Sequence, residues 1–193
     1  MRKFILFFFL CFFSVFSFAK TKAEKRVITC AKQGLLSCLK EEIKKDKHTQ
    51  FTLDDNNNTL LVLAAANGHN QALRFLSDEW PKWFIANKQG RNALHMAIIA
   101  NHYDTAQLVV HLVDQDWDSD IKRFINTADV KELATPLHWA AYRCQRDLYQ
   151  FLVEYGANPK ARDKEFRTPE DILAACPAEK TEKESVPDNK KAS

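Results

Sequence analysis

Apolar residues recur every three or four positions through most of this chain, with polar residues between them. In one stretch Leu60, Leu63 and Ala64 share a helical face, and Leu73 and Leu76 share a face of the stretch that follows. This spacing is typical of short helices that each bury one apolar stripe. The pattern therefore predicts pairs of short helices joined by tight turns.

The same sequence frame returns along the chain at a nearly fixed interval. The segments TLLVLAAANGH, NALHMAIIANH, TPLHWAAYRCQ and TPEDILAAC are variants of it, and they open at Thr59, Asn92, Thr135 and Thr168, which lie 33, 43 and 33 residues apart. A period near 33 residues is typical of proteins built as a stack of small helical units. In such a stack, function is expected on the outer surface rather than in a catalytic pocket.

Several of these segments resemble one known repeat. TPLHWAA at 135–141 and YGANPKARD at 155–163 are similar to the ankyrin-repeat consensus almost letter for letter, and NGH at 67–69 and GRNALH at 90–95 match it well. The resemblance covers roughly residues 26–176. It implies an all-α fold, a curved ankyrin-repeat solenoid of helix-turn-helix units with short β-hairpin fingers on one side.

The resemblance also implies how the chain divides. The domain expected at 20–176 consists of a cap unit at about 22–53, repeats at about 54–86, 87–129 and 130–162, and a partial unit at 163–176. The interval between the third and fourth units is ten residues too long, and most of the excess lies in 113–124.

Two histidines, His95 and His138, occupy the same column of the repeat. The resemblance implies that they hydrogen-bond backbone between units, which makes them structural rather than catalytic. Asn101 and Cys144 stand where two other units have a turn glycine, and Asn tolerates a left-handed backbone more readily than Cys does. Without framework histidines no Ser/His/Asp triad can be assembled, so neither an enzyme nor a cofactor is expected.

The two ends of the chain differ from its middle. Residues 1–19 have a short basic start and a phenylalanine-rich apolar run, the layout of a secretory signal peptide, with a retained anchor helix as the alternative. Residues 177–193 are highly charged and poor in apolar side chains, which predicts a disordered tail. We therefore expect an exported protein, in the bacterial periplasm or else secreted, with no stable membrane anchor after signal cleavage.

The charge balance bounds the class of partner. Without residues 1–19 the chain carries 26 basic and 25 acidic residues, so its formal net charge is about +1. A nearly neutral chain lacks the basic footprint typical of nucleic-acid binding, and no nucleic acid is expected as a partner.

Four cysteines lie outside the predicted signal, and an even number in an exported protein favours disulfides. Cys30 and Cys38 stand four residues on either side of Gly34, so they face each other across a helical hairpin. Cys144 and Cys176 occupy nearly equivalent places in successive units, whose separation is long for a bridge. Four cysteines allow three pairings. The register favours Cys30 with Cys38, whereas a bridge between Cys144 and Cys176 needs the one-residue offset and a loose terminal helix to close the gap, so the sequence leaves the full pairing open.

Alternating aspartates from Asp114 to Asp120 resemble part of a calcium-binding loop. The loop would need glycine at Ser119 and a bidentate glutamate at Ile125. A solvated acidic loop is therefore the favoured interpretation, and no metal is expected. A divalent-metal-dependent accessory protein or enzyme that uses 114–120 is the alternative from a different functional class.

The leading expectation is a non-enzymatic module that binds a folded protein through its fingers and concave face, and that is a monomer when free. It could inhibit or protect an exported enzyme, as an immunity protein does, or act as a secreted effector on a host protein. The candidate contact residues are exposed polar residues of one finger and nearby tryptophans: Asn87, Lys88, Gln89, Arg91, Trp80, Trp83 and Trp117. For the tryptophans, packing onto the stack is the alternative to binding.

Overall fold

The computed structural model describes residues 20–79, 82–116 and 120–177. Within these ranges the chain forms ten α-helices and one 3-10 helix, η1, and no β-strand. The α-helices are α1 Lys22–Gln33, α2 Leu36–Lys45, α3 Leu60–Ala66, α4 Asn70–Glu79, α5 Ala93–Ile99, α6 Tyr103–Gln115, α7 Ile121–Ile125, α8 Pro136–Tyr142, α9 Arg146–Glu154 and α10 Pro169–Ala174. Helix η1, Lys47–Phe51, follows α2. The predicted all-α class is confirmed.

The first helix of each unit begins at the residue that opens the sequence frame. Thr59 precedes α3, and its hydroxyl accepts the Val62 N–H at 3.1 Å. Asn92 does the same for α5, where its Oδ1 accepts the His95 N–H at 3.1 Å. These side chains satisfy backbone donors that a helix start leaves unpaired. The repeated frame is therefore a repeated helix cap.

A continuous apolar seam joins the units. It consists of one cluster of buried side chains that runs from Val27 in α1 to Ile172 in α10. Helix α3 lies between α1 and α5, and six of its residues, from Leu60 to Ala65, are buried. A seven-residue helix has little stability alone, so this packing between neighbours holds it in place.

The turns between paired helices leave no room for a side chain where two glycines stand. A Cβ at Gly34 would lie 2.6 Å from the His69 ring, and one at Gly68 would lie 2.8 Å from the His102 ring. The equivalent Asn101 and Cys144 keep the left-handed backbone, with φ of 63° and 55°. The frame therefore imposes its backbone conformation even on Cys144, a residue type that disfavours it.

The two framework histidines connect successive units. His95 Nε2 lies 3.3 Å from the Ala134 carbonyl oxygen, and His138 Nε2 lies 3.3 Å from that of Arg167. Burial lowers the pKa of His95 to about 4, and it also lowers the pKa of His138. Both rings are therefore neutral near pH 7, and each donates from Nε2 to the next unit, as the resemblance implied.

The fingers are tight turns rather than the expected β-hairpins. Each starts at an Asp or Asn whose side chain accepts backbone N–H groups further along the turn: Asp54, Asn87, Asp129 and Asp163. We call 54–58, 87–91, 129–134 and 163–167 fingers one to four. In each finger a side-chain oxygen, rather than a neighbouring strand, accepts the backbone N–H groups of the turn.

One backbone hydrogen bond links each finger to the next. The N–H groups of Lys88, Val130 and Lys164 donate to the carbonyl oxygens of Asn56, Gln89 and Glu132, at 3.0, 2.9 and 2.9 Å. The four fingers therefore form a row with fixed spacing.

The ten extra residues of the third unit form structure of their own. Helix α6 is 13 residues long, and α7 follows it after a break. Phe124 of α7 is fully buried, and its ring meets Trp83 at 6.4 Å and Phe84 at 5.8 Å, edge to face in both cases. The insert therefore covers the aromatic cluster behind units two and three.

The four cysteines form two pairs at disulfide distance. The Cα atoms of Cys30 and Cys38 lie 5.9 Å apart, and those of Cys144 and Cys176 lie 5.7 Å apart. The first pair closes the α1–α2 hairpin, and the second holds the end of α10 against the α8–α9 turn. The predicted signal and nearly all of the predicted tail lie outside the described residues. No helix among those residues is long and apolar enough to cross a membrane.

Candidate functional site

The first helices of units three and four turn one face toward the fingers. Met96 and Ile99 lie three residues apart on α5, and Trp139 and Tyr142 lie three apart on α8, so each pair shares a helical face. All four side chains are only partly buried. We call these four residues, together with the finger side chains that contact them, the groove.

The middle of the groove contains a three-residue cluster. Arg91 of finger two places its Cζ 4.6 Å from the centre of the Trp139 ring. The Nε of Arg91 donates to Asp129 Oδ2 at 3.1 Å, and the Trp139 Nε1–H donates to the same oxygen at 3.3 Å. One buried carboxylate therefore fixes both the cation and the aromatic ring that it covers.

A second cluster of the same three chemical types lies beside the first, with Tyr142 of the same helix α8 as its ring and with its arginine and aspartate both in finger four. Arg167 places its Cζ 5.3 Å from the centre of the Tyr142 ring, and its Nε donates to Asp163 Oδ2 at 3.1 Å. The Tyr142 hydroxyl donates to the same carboxylate oxygen at 2.5 Å. The groove thus presents two successive aspartate–arginine–aromatic clusters.

The two aspartates remain ionised although they are buried. Burial alone would raise the pKa of Asp129, but hydrogen bonds from the Glu132 N–H and from Arg91, with the Arg91 charge, outweigh it and lower that pKa. Asp163 follows the same balance, with hydrogen bonds from Tyr142 and Arg167 that keep its pKa low. Burial and the bond to Asp163 raise the pKa of Tyr142, so its hydroxyl keeps its proton.

This arrangement is suited to recognition rather than to proton transfer. The carboxylates are saturated with donors, both arginines are paired, and neither aromatic group titrates near neutral pH. The polar atoms are therefore used to hold ring faces and guanidinium groups in fixed positions. Preformed aromatic and arginine surfaces lose little entropy when a partner binds.

Three of the predicted contact residues, Lys88, Gln89 and Arg91, lie on finger two. Lys88 and Gln89 are exposed at its tip, and Lys88 Nζ donates to the Asp55 carbonyl at 2.7 Å. Arg91 lies in the groove, where its side chain is mostly covered by its own partners. Gln89 Oε1 accepts from Arg91 Nη1 at 3.0 Å and so steadies the arginine.

Asn87 and Trp83 belong to the framework instead, which corrects their place among the contact residues. Asn87 is buried, because its Oδ1 accepts the backbone N–H groups of Gln89 and Arg91 inside the turn. Trp83 is 2% exposed beneath Phe124. Neither side chain can contact a partner without unfolding its surroundings. Trp80 and Trp117 lie outside the described residues.

The acidic run is divided between structural elements. Asp114 lies on α6, Asp116 follows the end of that helix, and Asp118 is outside the described residues. Asp120 caps α7, where its Oδ1 accepts the Arg123 N–H at 3.0 Å. Among the residues that the structure describes, no group of three or more His, Cys, Asp or Glu could hold a metal ion.

The sequence reasoning missed seven groove residues: Met96, Ile99, Asp129, Trp139, Tyr142, Asp163 and Arg167. A signal for two of them was present. Helix α8 already uses Leu137 and Ala140 for the seam, so the rings at 139 and 142 had to lie on another face. No signal in the sequence pairs them with particular finger residues, because those contacts join separate elements.

A stack of helix pairs with a preformed groove beside a row of fingers defines a helical-repeat protein with a recognition surface. Family models for "Ankyrin repeats (3 copies)" and "Ankyrin repeat" match residues 27–121 and 132–164. The chain belongs to the ankyrin repeat family, and such repeats indicate a protein–protein interaction module. The stretch between the two matches, 122–131, contains most of α7 and the start of finger three.

Proposed function

We propose that this protein is a non-enzymatic module that binds one folded protein through the groove and the fingers. The observation that carries the proposal is the pair of aspartate–arginine–aromatic clusters. Each places an arginine over an aromatic ring of α8, and in each the arginine donates to a buried aspartate of a finger. Arg, Trp and Tyr are the residues most enriched among those that dominate binding energy.

The rigidity of the surface supports the same conclusion. The fingers are spaced by backbone hydrogen bonds, and the groove residues are fixed by buried aspartates. A partner would therefore meet a surface that is already in its binding shape, and the ordering entropy that opposes association would be small. A folded protein, rather than a disordered peptide alone, matches a surface that spans several units.

The proposed localisation is outside the cytoplasm, in the bacterial periplasm or in the secreted fraction. Two cysteine pairs at disulfide distance and the signal-like residues 1–19 support it, because disulfides persist in oxidising compartments. In that setting the module would inhibit or protect an exported enzyme, as an immunity protein does. A secreted effector that binds a host protein is the alternative within the binding class.

Chemical cross-linking in the native compartment tests the binding proposal. Wild-type protein should give one dominant cross-linked partner, identified by mass spectrometry and then purified for titration. Arg143→Glu, which reverses an exposed charge beside the groove, should weaken the affinity at least tenfold. Arg74→Glu, at an exposed position of α4, is the matched control and should leave the affinity unchanged. Equal affinities for the two variants would refute the placement of the surface.

A further inference from the structure

The two cysteine pairs differ in their exposure to solvent. Cys30 is 2% exposed, and Cys38 packs against the apolar seam. Cys144 is an exposed residue, and Cys176 is only partly buried. A disulfide opens when a thiolate approaches one of its sulfur atoms, so access to that atom governs the reaction. The bond between Cys144 and Cys176 is therefore the one that a reductant reaches more easily.

Cys144 stands where the backbone suits another residue type. Its φ is 55°, in the turn position that Gly34 and Gly68 occupy in the first two units. Cysteine disfavours this left-handed backbone, so the turn gains nothing from it. Backbone strain of this kind concentrates at functional positions. The bond to Cys176 gives cysteine a role here that glycine could not have.

That bond holds the short helix α10 against the rest of the stack. Helix α10 has six residues, of which Pro169 and Ile172 are buried. A helix of this length is unstable without packing or a covalent link. Cys176 follows its last turn, and the bond joins it to the α8–α9 turn at Cys144. With the bond open, α10 would be retained by two buried side chains and by polar contacts.

Finger four leads directly into α10. Thr168 caps the helix, because its Oγ1 accepts the Asp171 N–H at 3.2 Å and its own N–H donates to Asp171 Oδ2 at 2.9 Å. The preceding residue, Arg167, covers the Tyr142 ring in the groove. We call Tyr142, Asp163 and Arg167 the tyrosine cluster. A displacement of α10 would therefore reach this cluster through a single peptide bond.

We propose that reduction of the bond between Cys144 and Cys176 releases α10, loosens the tyrosine cluster and lowers the affinity of the groove for its protein partner. This inference rests on the proposed function and specifies how that function is regulated. The oxidised protein is the form that binds tightly. The bond between Cys30 and Cys38 stays closed under the same conditions and keeps the α1–α2 hairpin intact.

The reductant required is a dithiol. One of its thiolates attacks Cys144 Sγ and forms a mixed disulfide, while Cys176 leaves as a thiolate and takes up a proton. The Nη2 of Arg146 donates to the Cys176 carbonyl at 3.4 Å, which places a cation beside that leaving group. The second thiolate of the reductant then displaces Cys144, which also takes up a proton. Two electrons pass to the protein, and the reductant leaves as a disulfide.

Limited reduction of the full oxidised chain tests the first step. Dithiothreitol is added, free thiols are trapped with N-ethylmaleimide at intervals, and the labelled peptides are measured by mass spectrometry. Cys144 and Cys176 should be labelled about tenfold faster than Cys30 and Cys38, because of their exposure. Equal rates, or the reverse order, would overturn the inference.

Amide hydrogen exchange of the protein reduced at this one bond tests the second step. Exchange should rise about tenfold in α10 and in finger four, because the local opening free energy falls there. Finger one is the internal control, since it lies at the other end of the row, and its exchange should not change. Unchanged exchange in finger four would mean that the groove does not respond to the bond, and the inference would fail.

The affinity for the cross-linked partner tests the third step. Wild type should bind about fivefold more weakly after reduction at this one bond, because the tyrosine cluster is no longer preorganised. Cys144→Gly with Cys176→Ser restores a glycine turn but removes the bond. This variant should bind as weakly as reduced wild type and should not respond to dithiothreitol. Cys30→Ser with Cys38→Ser is the matched control and should respond as wild type does.

The outcomes separate this inference from the proposed function. Equal affinities of oxidised and reduced wild type would overturn the inference and leave the proposed function standing. Tight binding by the Cys144→Gly, Cys176→Ser variant would have the same meaning. Absence of any partner in both redox states would refute the proposed function and, with it, this regulation.

Discussion

Arg91 lies with its guanidinium 4.6 Å from the centre of the Trp139 ring, although the two residues belong to different repeats. The contact joins finger two to helix α8, and Asp129 of finger three holds both side chains. Two neighbouring repeats therefore meet at one carboxylate. A site of this kind is both part of the fold and part of the surface, and the two roles can be separated by measurement.

Removal of Arg91 should destabilise the protein more than its partial exposure suggests. The side chain of Asp129 is fully buried, and Arg91→Ala would leave its charge without a cation. We expect the free energy of unfolding to fall by about 2 to 3 kcal/mol, measured by urea denaturation. Lys88→Ala, at the tip of the same finger, is the control and should change it by less than about 0.5 kcal/mol. Equal losses would mean that Asp129 does not depend on the arginine.

Acid should weaken the stack through His95. Its pKa is about 4 in the folded protein, below the ordinary 6.5, because burial disfavours the charged ring. The unfolded chain therefore takes up a proton first, and stability that is complete above about pH 6.5 is lost as the pH falls toward 4. The full effect is on the order of 3 kcal/mol.

Denaturation of wild type and His95→Gln at pH 7 and pH 4.5 measures this effect. The glutamine variant should be less stable at pH 7, because it weakens the bond to the Ala134 carbonyl. It should also lose less stability between the two pH values than wild type does. Parallel losses in the two proteins would assign the acid sensitivity to other groups.

The helix pairs could be predicted from the sequence because each unit carries its own signals. These signals are local: the helix cap at Thr59, the turn at Gly68 and the apolar spacing between them. Equivalent signals recur in the other repeats. The packing of Phe124 on Trp83 could not be predicted in the same way. It joins residues 41 positions apart, inside an insert that no other unit shares.

The groove was harder to predict for a geometric reason. Trp139 is visible in the sequence, but the direction of its ring depends on how α8 is rotated against its neighbours. Asp129 and Arg91 lie 10 and 48 residues away from it, in turns whose tips have no periodic pattern. The left-handed backbone of Leu133 could not be predicted either. Leucine disfavours that conformation, and only the repeat imposes it.

The two cysteine pairs should contribute unequally to stability. The bond between Cys144 and Cys176 closes a separation of 32 residues, and that between Cys30 and Cys38 closes one of 8. In the loop-entropy model their removal costs about 3.7 and 2.5 kcal/mol respectively. Paired Cys→Ser variants, compared by urea denaturation under oxidising conditions, test this ranking.

The same variants provide a direct check of the covalent bonds. The intact mass of the wild-type protein should be four hydrogen masses below that of the reduced chain, and each paired variant should show half of that difference. Loss of the bond to Cys176 should also increase amide exchange in α10, which is only six residues long. Unchanged exchange there would mean that the apolar seam alone holds the last helix.

Finger spacing should depend on the absence of a side chain at Gly90. A Cβ at this position would lie 2.7 Å from the Val130 backbone nitrogen, the atom that donates to Gln89 and joins fingers two and three. Gly90→Ala should therefore lower the free energy of unfolding by about 2 kcal/mol or more, through left-handed strain and through loss of that link.

Gly156→Ala is the control that isolates the left-handed strain. Its φ is also positive, at 92°, but the nearest atom to its Cβ would be 3.6 Å away on the flexible Lys122 side chain. We expect it to cost only about 1 kcal/mol in the same denaturation experiment. If the two substitutions proved equally harmful, close approach between fingers would not be what requires glycine at position 90.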